Sequence, residues 1–501
     1  MASGGYWSLD RQSAEHRGRH ASSFGRPPVT TTPFRHTRDA RSAAPEESRA
    51  VSAWQPPRII PRLTSDRRLD PLVYGYRYDP EFKQCRRRGV VRHGKLIEAI
   101  RAKSLRLITD RPGRALKDAV KCFLRSRLVQ FDVLHDTWLD HKGPNGHLTL
   151  PERQATFYAR WRDWRAGGEL LQWSLDPSIT CAEPFYRRGK PKGDGRWRTF
   201  YALDIARTTR QRLVQAALAA ASCSQYRVQA MFRGGMSIVV SEVTQMLKDD
   251  ASLTHCAEID IRNCFDDIQL VTARDVLPLS PKVIQQTLAI YAQEAIDQRV
   301  REHRRRDHYL RRCDELFASG PSLALPQGAA SSSLVAYWLI EAGLPPLPPD
   351  RVFLYGDNLL VLGESPDDVR AQVCLFRRLF ERHPAGPLQI EAGEPRDVRD
   401  GFEFLGIEFR RVQTTADETD NYGISARVPP EARARFLDGV RSRVARAMEC
   451  GDTALSEASR YVRSFLGSRP THDRVELLVA ACTVIEDLGI DATPIWELGV
   501  G

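Results

Sequence analysis

Arg351-Val-Phe-Leu-Tyr355-Gly356-Asp357-Asn358-Leu-Leu-Val-Leu362 holds two short apolar runs around a polar tip. Such a pair around a tight polar link predicts a β-hairpin. Gly356 suits the turn, because it accepts backbone angles that other residues resist. Many hairpins carry an aspartate at the tip, so this stretch alone marks no site. It gains weight beside a second segment, Cys256-Ala-Glu-Ile-Asp260-Ile-Arg-Asn-Cys-Phe265-Asp266-Asp267-Ile268. There another strand-like run ends near a carboxylate. Two strand-borne aspartates from separate segments suit two-metal phosphoryl transfer. Mg²⁺ is usually held by one or two carboxylates with substrate phosphates, and two ions about 4 Å apart clamp the attacking and leaving oxygens.

A basic hairpin is predicted upstream. Phe185-Tyr-Arg-Arg188-Gly-Lys190-Pro-Lys192-Gly-Asp-Gly195-Arg196-Trp-Arg198 turns at Gly-Asp-Gly between basic flanks. A mobile basic hairpin neutralises a triphosphate and closes over it, although a solvated charge run has the same composition.

In order, Asp260-Ile-x-x-x-Phe265-Asp266, Leu325-Pro326-Gln327-Gly328-x-x-Ser331, Tyr355-Gly356-Asp357 and Phe404-Leu405-Gly406 resemble the palm of reverse transcriptases. The likeness is to the bacterial kind related to group II intron enzymes, and it spans roughly residues 180–412. It implies an α+β right-hand polymerase with fingers, palm and helical thumb. It also implies an RNA-directed DNA polymerase that adds dNTPs to a primer 3′-hydroxyl on an RNA template, with a DNA or RNA primer. Two Mg²⁺ ions are the implied cofactor, held by Asp260, Asp357 and the Ile261 carbonyl.

The resemblance assigns further roles. Phe265 lies under the sugar and excludes a 2′-hydroxyl; its alternative is a core residue. Gln327 and Gly328 lie beside the template base and incoming nucleotide, and Tyr355 and Gly356 border the substrate. In the fingers, Arg198 heads the nucleotide contacts, followed by Arg196 and Lys192, on a looser alignment. Phe232-Arg-Gly-Gly-Met236 resembles a turn that approaches the template or primer backbone.

Two departures stand out. Asn358 replaces the second aspartate usual after the catalytic one, so the site carries one negative charge fewer and Mn²⁺ becomes an alternative metal. The lysine usual before Phe-Leu-Gly is absent, and Arg396 and Arg399 occupy that span. Two rival readings follow: an untemplated or RNA-synthesising polymerase, and a nucleic-acid-binding scaffold made inert by Asn358.

The 501 residues predict several lobes, and a net charge of +11 favours a polyanionic partner. The ten cysteines make no Cys-x-x-Cys pair, as in a reduced cytoplasmic protein. No apolar run approaches the ~20 residues of a membrane span.

Residues 1–56, rich in Ser, Arg, Pro and Gly, predict a disordered basic tail. Residues 57–180 predict a helical N-terminal extension. Within it Phe157, Trp161 and Trp164 interleave with arginines, either as base-stacking aromatics or as a core stripe. Residues 181–412 are fingers and palm, with a helical insert at 281–317 whose run Arg301–Arg312 either tracks phosphates or is solvated. Residues 413–501 predict a helical thumb, entered through a polar loop at Thr414–Asn421. The sequence shows no nuclease or maturase-type segment after it. That resembles stand-alone bacterial enzymes with a role in anti-phage defence and an associated non-coding RNA.

Overall fold

The structure is a computed structural model, and it describes residues 66–104, 111–140, 148–166, 175–181, 183, 185–191, 197–222, 235–270, 273–289, 296–297, 325–344, 351–413, 422–450, 453–467, 469 and 471–493. The expected tail, the Phe232-Arg-Gly turn and the run Arg301–Arg312 lie outside these residues, as do Lys192 and Arg196.

The extension is helical where it is described: α1 (Asp66–Tyr78), α2 (Pro80–Arg101), α3 (Arg114–Arg125), α4 (Arg127–Asp140) and α5 (Leu150–Ala166). Asp79 starts α2 by accepting from the N–H groups of Glu81 (2.9 Å) and Phe82 (3.0 Å), with Pro80 in the first turn. Gly89 lets α2 press on α4, since a Cβ there would stand 3.1 Å from the Leu128 carbonyl oxygen. Phe157 and Trp161 are buried with Phe82, Phe131 and Tyr158, and Trp164 packs partly against them. The aromatic stripe is therefore core rather than a stacking platform.

The extension is not a separate module. Leu96, Ile100, Val120 and Phe123 share one apolar core with Leu213 and Val214 of α6 (Ile205–Ala221) and with Ile259, Leu354 and Val361 of the central sheet. Just before α6, β1 (Phe185–Pro191) and β2 (Trp197–Leu203) form the expected antiparallel hairpin. After it come α7 (Met236–Asp249), β3 (His255–Ile261), α8 (Cys264–Asp267) and α9 (Ala273–Val276). The 281–317 insert is helical at Pro281–Leu288 (α10), whose second half is a π-helix. It then supplies a short strand, Ile296–Asp297 (β4), parallel to β1.

Downstream are α11 (Ser332–Ala342), β5 (Val352–Tyr355), β6 (Asn358–Gly363), α12 (Pro366–Glu381), β7 (Ile390–Ala392) and β8 (Arg396–Asp397). The central sheet runs β5-β6-β3-β7 in antiparallel pairings, with β8 also on β3. Successive residues of β3 point to opposite faces. Ala257, Ile259 and Ile261 enter the large core, whereas Cys256 enters a second core with Val243 and Leu247 of α7.

That second core also takes β9 (Phe402–Phe404), β10 (Ile407–Gln413) and β11 (Tyr422–Arg427). Here the boundary of the helical thumb needs correcting. Residues 422–427 form a strand that pairs with β10 before any helix begins, because Ile424 and Ala426 complete an apolar face with Phe409. Three helices follow, α13 (Pro430–Cys450), α14 (Thr453–Gly467) and α15 (Arg474–Glu486), with their own core around Phe436, Val440, Val462 and Leu477. Among the described residues, no helix is long and apolar enough to cross a membrane.

Candidate active site

The register Tyr355↔Asn358 leaves Gly356-Asp357 as a two-residue hairpin loop. Gly356 has φ +73° and Asp357 a negative φ, the pattern of a type II′ turn. Glycine is required here twice over. The Tyr337 ring of α11 lies beneath the turn, with its hydroxyl oxygen 2.7 Å from where a Cβ on residue 356 would stand.

Strand pairing places the two aspartates side by side. Asp260 is the cross-strand partner of Asn358, and the Ile261 N–H donates to the Asp357 carbonyl at 2.9 Å. Both carboxylates are half-buried at the same end of adjoining strands. The Asn358 side-chain amide donates to Asp357 Oδ1 at 3.2 Å. A second aspartate in that position would bring an acceptor where the amide brings a donor, so Asn358 orients Asp357 instead of repelling it.

The remaining motifs converge through backbone hydrogen bonds. Asn263, at φ +46°, turns the chain from β3 into the single-turn helix α8 that carries Phe265, which is half-buried against the large core. The Leu325 N–H donates to the Phe265 carbonyl at 3.0 Å, and the Tyr201 N–H of β2 donates to the Gln327 carbonyl at 2.8 Å. Gly328 has φ +96°, and a Cβ there would stand 3.1 Å from the Tyr201 carbonyl oxygen. Below the loop, Ser331 Oγ donates to Gln211 Oε1 of α6, and Ser332 Oγ donates to the Pro326 carbonyl at 2.8 Å. Phe265, Gln327, Gly328 and the root of the basic hairpin are thus joined. Arg198 lies on β2 opposite Lys190, and the disposition of its side chain lies outside the described part of the chain.

Beside the sheet end is a cleft of about 590 Å³ lined by Asp260 and Asn358 together with Glu258, Glu391, Arg396 and Glu403. Its balance is strongly acidic. Burial, followed by the charges of Glu403 and Asp260, pushes Glu258 up to about 6. Cys264, buried beside the two strands, has its thiol raised far above the usual range, first by burial and then by Asp357 and Asp260. Tyr337 is raised by burial and then by Asp357. A bare polyphosphate would be repelled from such a cleft, and divalent cations would reverse the balance. No group of three or more His, Cys, Asp or Glu with metal-holding geometry occurs among the described residues. The aspartate pair alone is nonetheless a fitting donor set for Mg²⁺, which completes its shell with phosphates and water.

Sequence reasoning left out Glu258, Glu391, Glu403, Cys264 and Tyr337. Glu258 was recoverable, being two residues before Asp260 and so on the same strand face. Cys264 lies on α8, in the same stretch as Asp260, but nothing in the sequence announces its burial beside the carboxylates, nor Glu391, Glu403 and Tyr337, which arrive through β7, β9 and α11. Of the two arginines offered in place of the missing lysine, Arg396 lines the cleft, while Arg399 is tied to Asp397 at 2.6 Å.

No protein-family model matches the chain, and no curated protein matches it.

Proposed function

We propose that the chain is a right-hand polymerase of the reverse-transcriptase kind, joining a primer 3′-hydroxyl to the α-phosphate of a dNTP with release of pyrophosphate. RNA is the template. The observation that carries this reading is the β3–β6 register, which sets Asp260 beside the Gly356-Asp357 turn while Leu325 and Gln327 tie the sugar-gate candidate to the basic hairpin.

Asp260 and Asp357, with the Ile261 carbonyl, would hold Mg²⁺, or Mn²⁺ in its place. Such ions, when bound, lower the charge on the reacting phosphate and activate the 3′-hydroxyl. The chain's own residues do the rest. Asn358 holds the Asp357 carboxylate in one orientation. Phe265 fills the space a 2′-hydroxyl would need. Arg396 is the cation the cleft offers to the departing pyrophosphate, and the basic β1–β2 hairpin would add further charge toward the triphosphate.

The test is primer extension on an RNA template by the full chain, in Mg²⁺ and in Mn²⁺. DNA synthesis that disappears in Asp357→Ala and Asp260→Ala supports the reading. Absence of synthesis with dNTPs and rNTPs in either metal overturns it and favours the inert scaffold. Phe265→Ala should let rNTPs compete with dNTPs; unchanged sugar preference would point to an RNA-synthesising enzyme.

A further inference from the structure

Away from the acidic cleft, the outer side of α2 forms a groove of about 440 Å³. Its walls are Arg87, Arg88, Arg92 and Lys95, and Val91 and Leu128 line it as well. Among the described residues, no acidic side chain lines it. All four cations are exposed, and none forms an ion pair among the described residues. Helix α2 carries seven Lys and Arg against two Glu. The helix buries the opposite side, through Phe82, Gly89, Leu96 and Ile100, so the basic stripe cannot turn inward.

We propose that this groove holds the phosphate backbone of a nucleic-acid strand, at a site separate from the candidate active centre. Arg87 to Lys95 spans about 12 Å along the helix. A strand presents one charge per about 3.4 Å of its axis, so the stripe matches three to four phosphates. Three of the four cations are arginines, whose planar fork pairs bidentately with phosphate oxygens. The apolar residues between them suit sugar and base faces more than the hydrated carboxylates of an acidic protein. The preference for nucleic acid over an acidic protein rests on the polymerase reading; the groove and its charge do not.

The extension shares a core with the central sheet, so a strand held here is fixed relative to the reaction centre. The groove would then act as an anchor that keeps the template, or an RNA joined to it, on the enzyme between additions.

The experiment uses the full chain and the variant R87Q/R88Q/R92Q/K95Q. Binding of a labelled single-stranded RNA, and of DNA of the same sequence, is followed by anisotropy over a range of salt concentrations. The expected result is a slope of log K against log salt smaller by about two to three. Affinity should fall at least tenfold at physiological salt, with an unchanged melting temperature. The RNA and DNA arms show which strand the groove prefers. Identical slopes and affinities in variant and wild type overturn the proposal. So does a variant that binds nucleic acid normally but loses binding to anionic vesicles or to a poly-glutamate peptide. Asp357→Ala serves as the control: it should bind as wild type without extending a primer. Groove-dependent binding by a wild type that synthesises nothing would sink the polymerase reading and leave this one standing.

Discussion

At the scale of single residues, the site depends on backbone angles that only certain side chains accept. Gly356→Ala would add left-handed strain at φ +73° and a methyl 2.7 Å from the Tyr337 hydroxyl. We expect a loss of about 2–4 kcal/mol of stability and loss of catalysis, because the displaced turn carries Asp357. Combining it with Tyr337→Phe removes the clashing oxygen, so the double variant should melt higher than the sum of the single losses allows. A second strained residue behaves differently. Leu405 has φ +56° and Gly406 φ +74° in the two-residue loop joining β9 and β10, a type I′ turn with leucine where asparagine or glycine is usual. Leu405 also packs partly on the second core. Leu405→Ala keeps the strain and loses the packing, and should cost about 1–2 kcal/mol. Leu405→Asn relieves strain of about 1 kcal/mol and should be near neutral in a urea melt. Equal losses for the two would show that the turn is not strained.

At the scale of elements, the seat of α6 is expected to respond to pH. Glu183 is buried and accepts from the N–H groups of Ala206 (3.0 Å) and Arg207 (2.8 Å) at the start of this helix. Arg207 returns hydrogen bonds to the carbonyls of Glu183 and Cys181. Burial outweighs these donors and pushes the Glu183 carboxyl up to about 7 from 4.5. The folded state therefore binds this proton more tightly than the unfolded chain does. The group's contribution is full below about pH 4.5 and is lost as pH rises through about 7, on the order of 3 kcal/mol in all. Stability measured in denaturant should fall between pH 5 and 7.5, and Glu183→Gln should flatten that dependence. An unchanged slope in the variant would assign the effect to other groups.

At the scale of the whole molecule, the helical extension belongs to the same body as the central sheet. Leu96, Ile100 and Phe123 lie in one core with Ile259 of the strand that carries Asp260. Removing residues 66–140 would strip one side of that core and uncover the face of α6 on which α2, α3 and α4 pack. We expect the shortened chain to show no cooperative thermal transition and no primer extension. A cooperative melt like that of the full chain would mean that the sheet and its helices stand without the extension.

The strand-borne aspartates, the hairpin at 351–362 and the helical periodicity of the extension were all legible along the chain, because each depends on neighbours a few residues apart. Gly356 and its turn are written in four consecutive letters. The order of motifs suggested which segments meet, but not how. That Asp260 faces Asn358, and not a residue on either side, is set by β3–β6 register, which a one-residue slip would invert. Only tertiary packing could make Phe157 and Trp161 core residues, place Tyr337 under the turn, or bring Glu403 and Arg396 into the cleft. The strand at 422–427 escaped notice for the same reason: its apolar face has meaning only against β10. What is local in sequence follows from propensity and turn chemistry, whereas the site's charge balance and its shared core come from contacts between segments about 100 residues or more apart, which long-range burial alone decides.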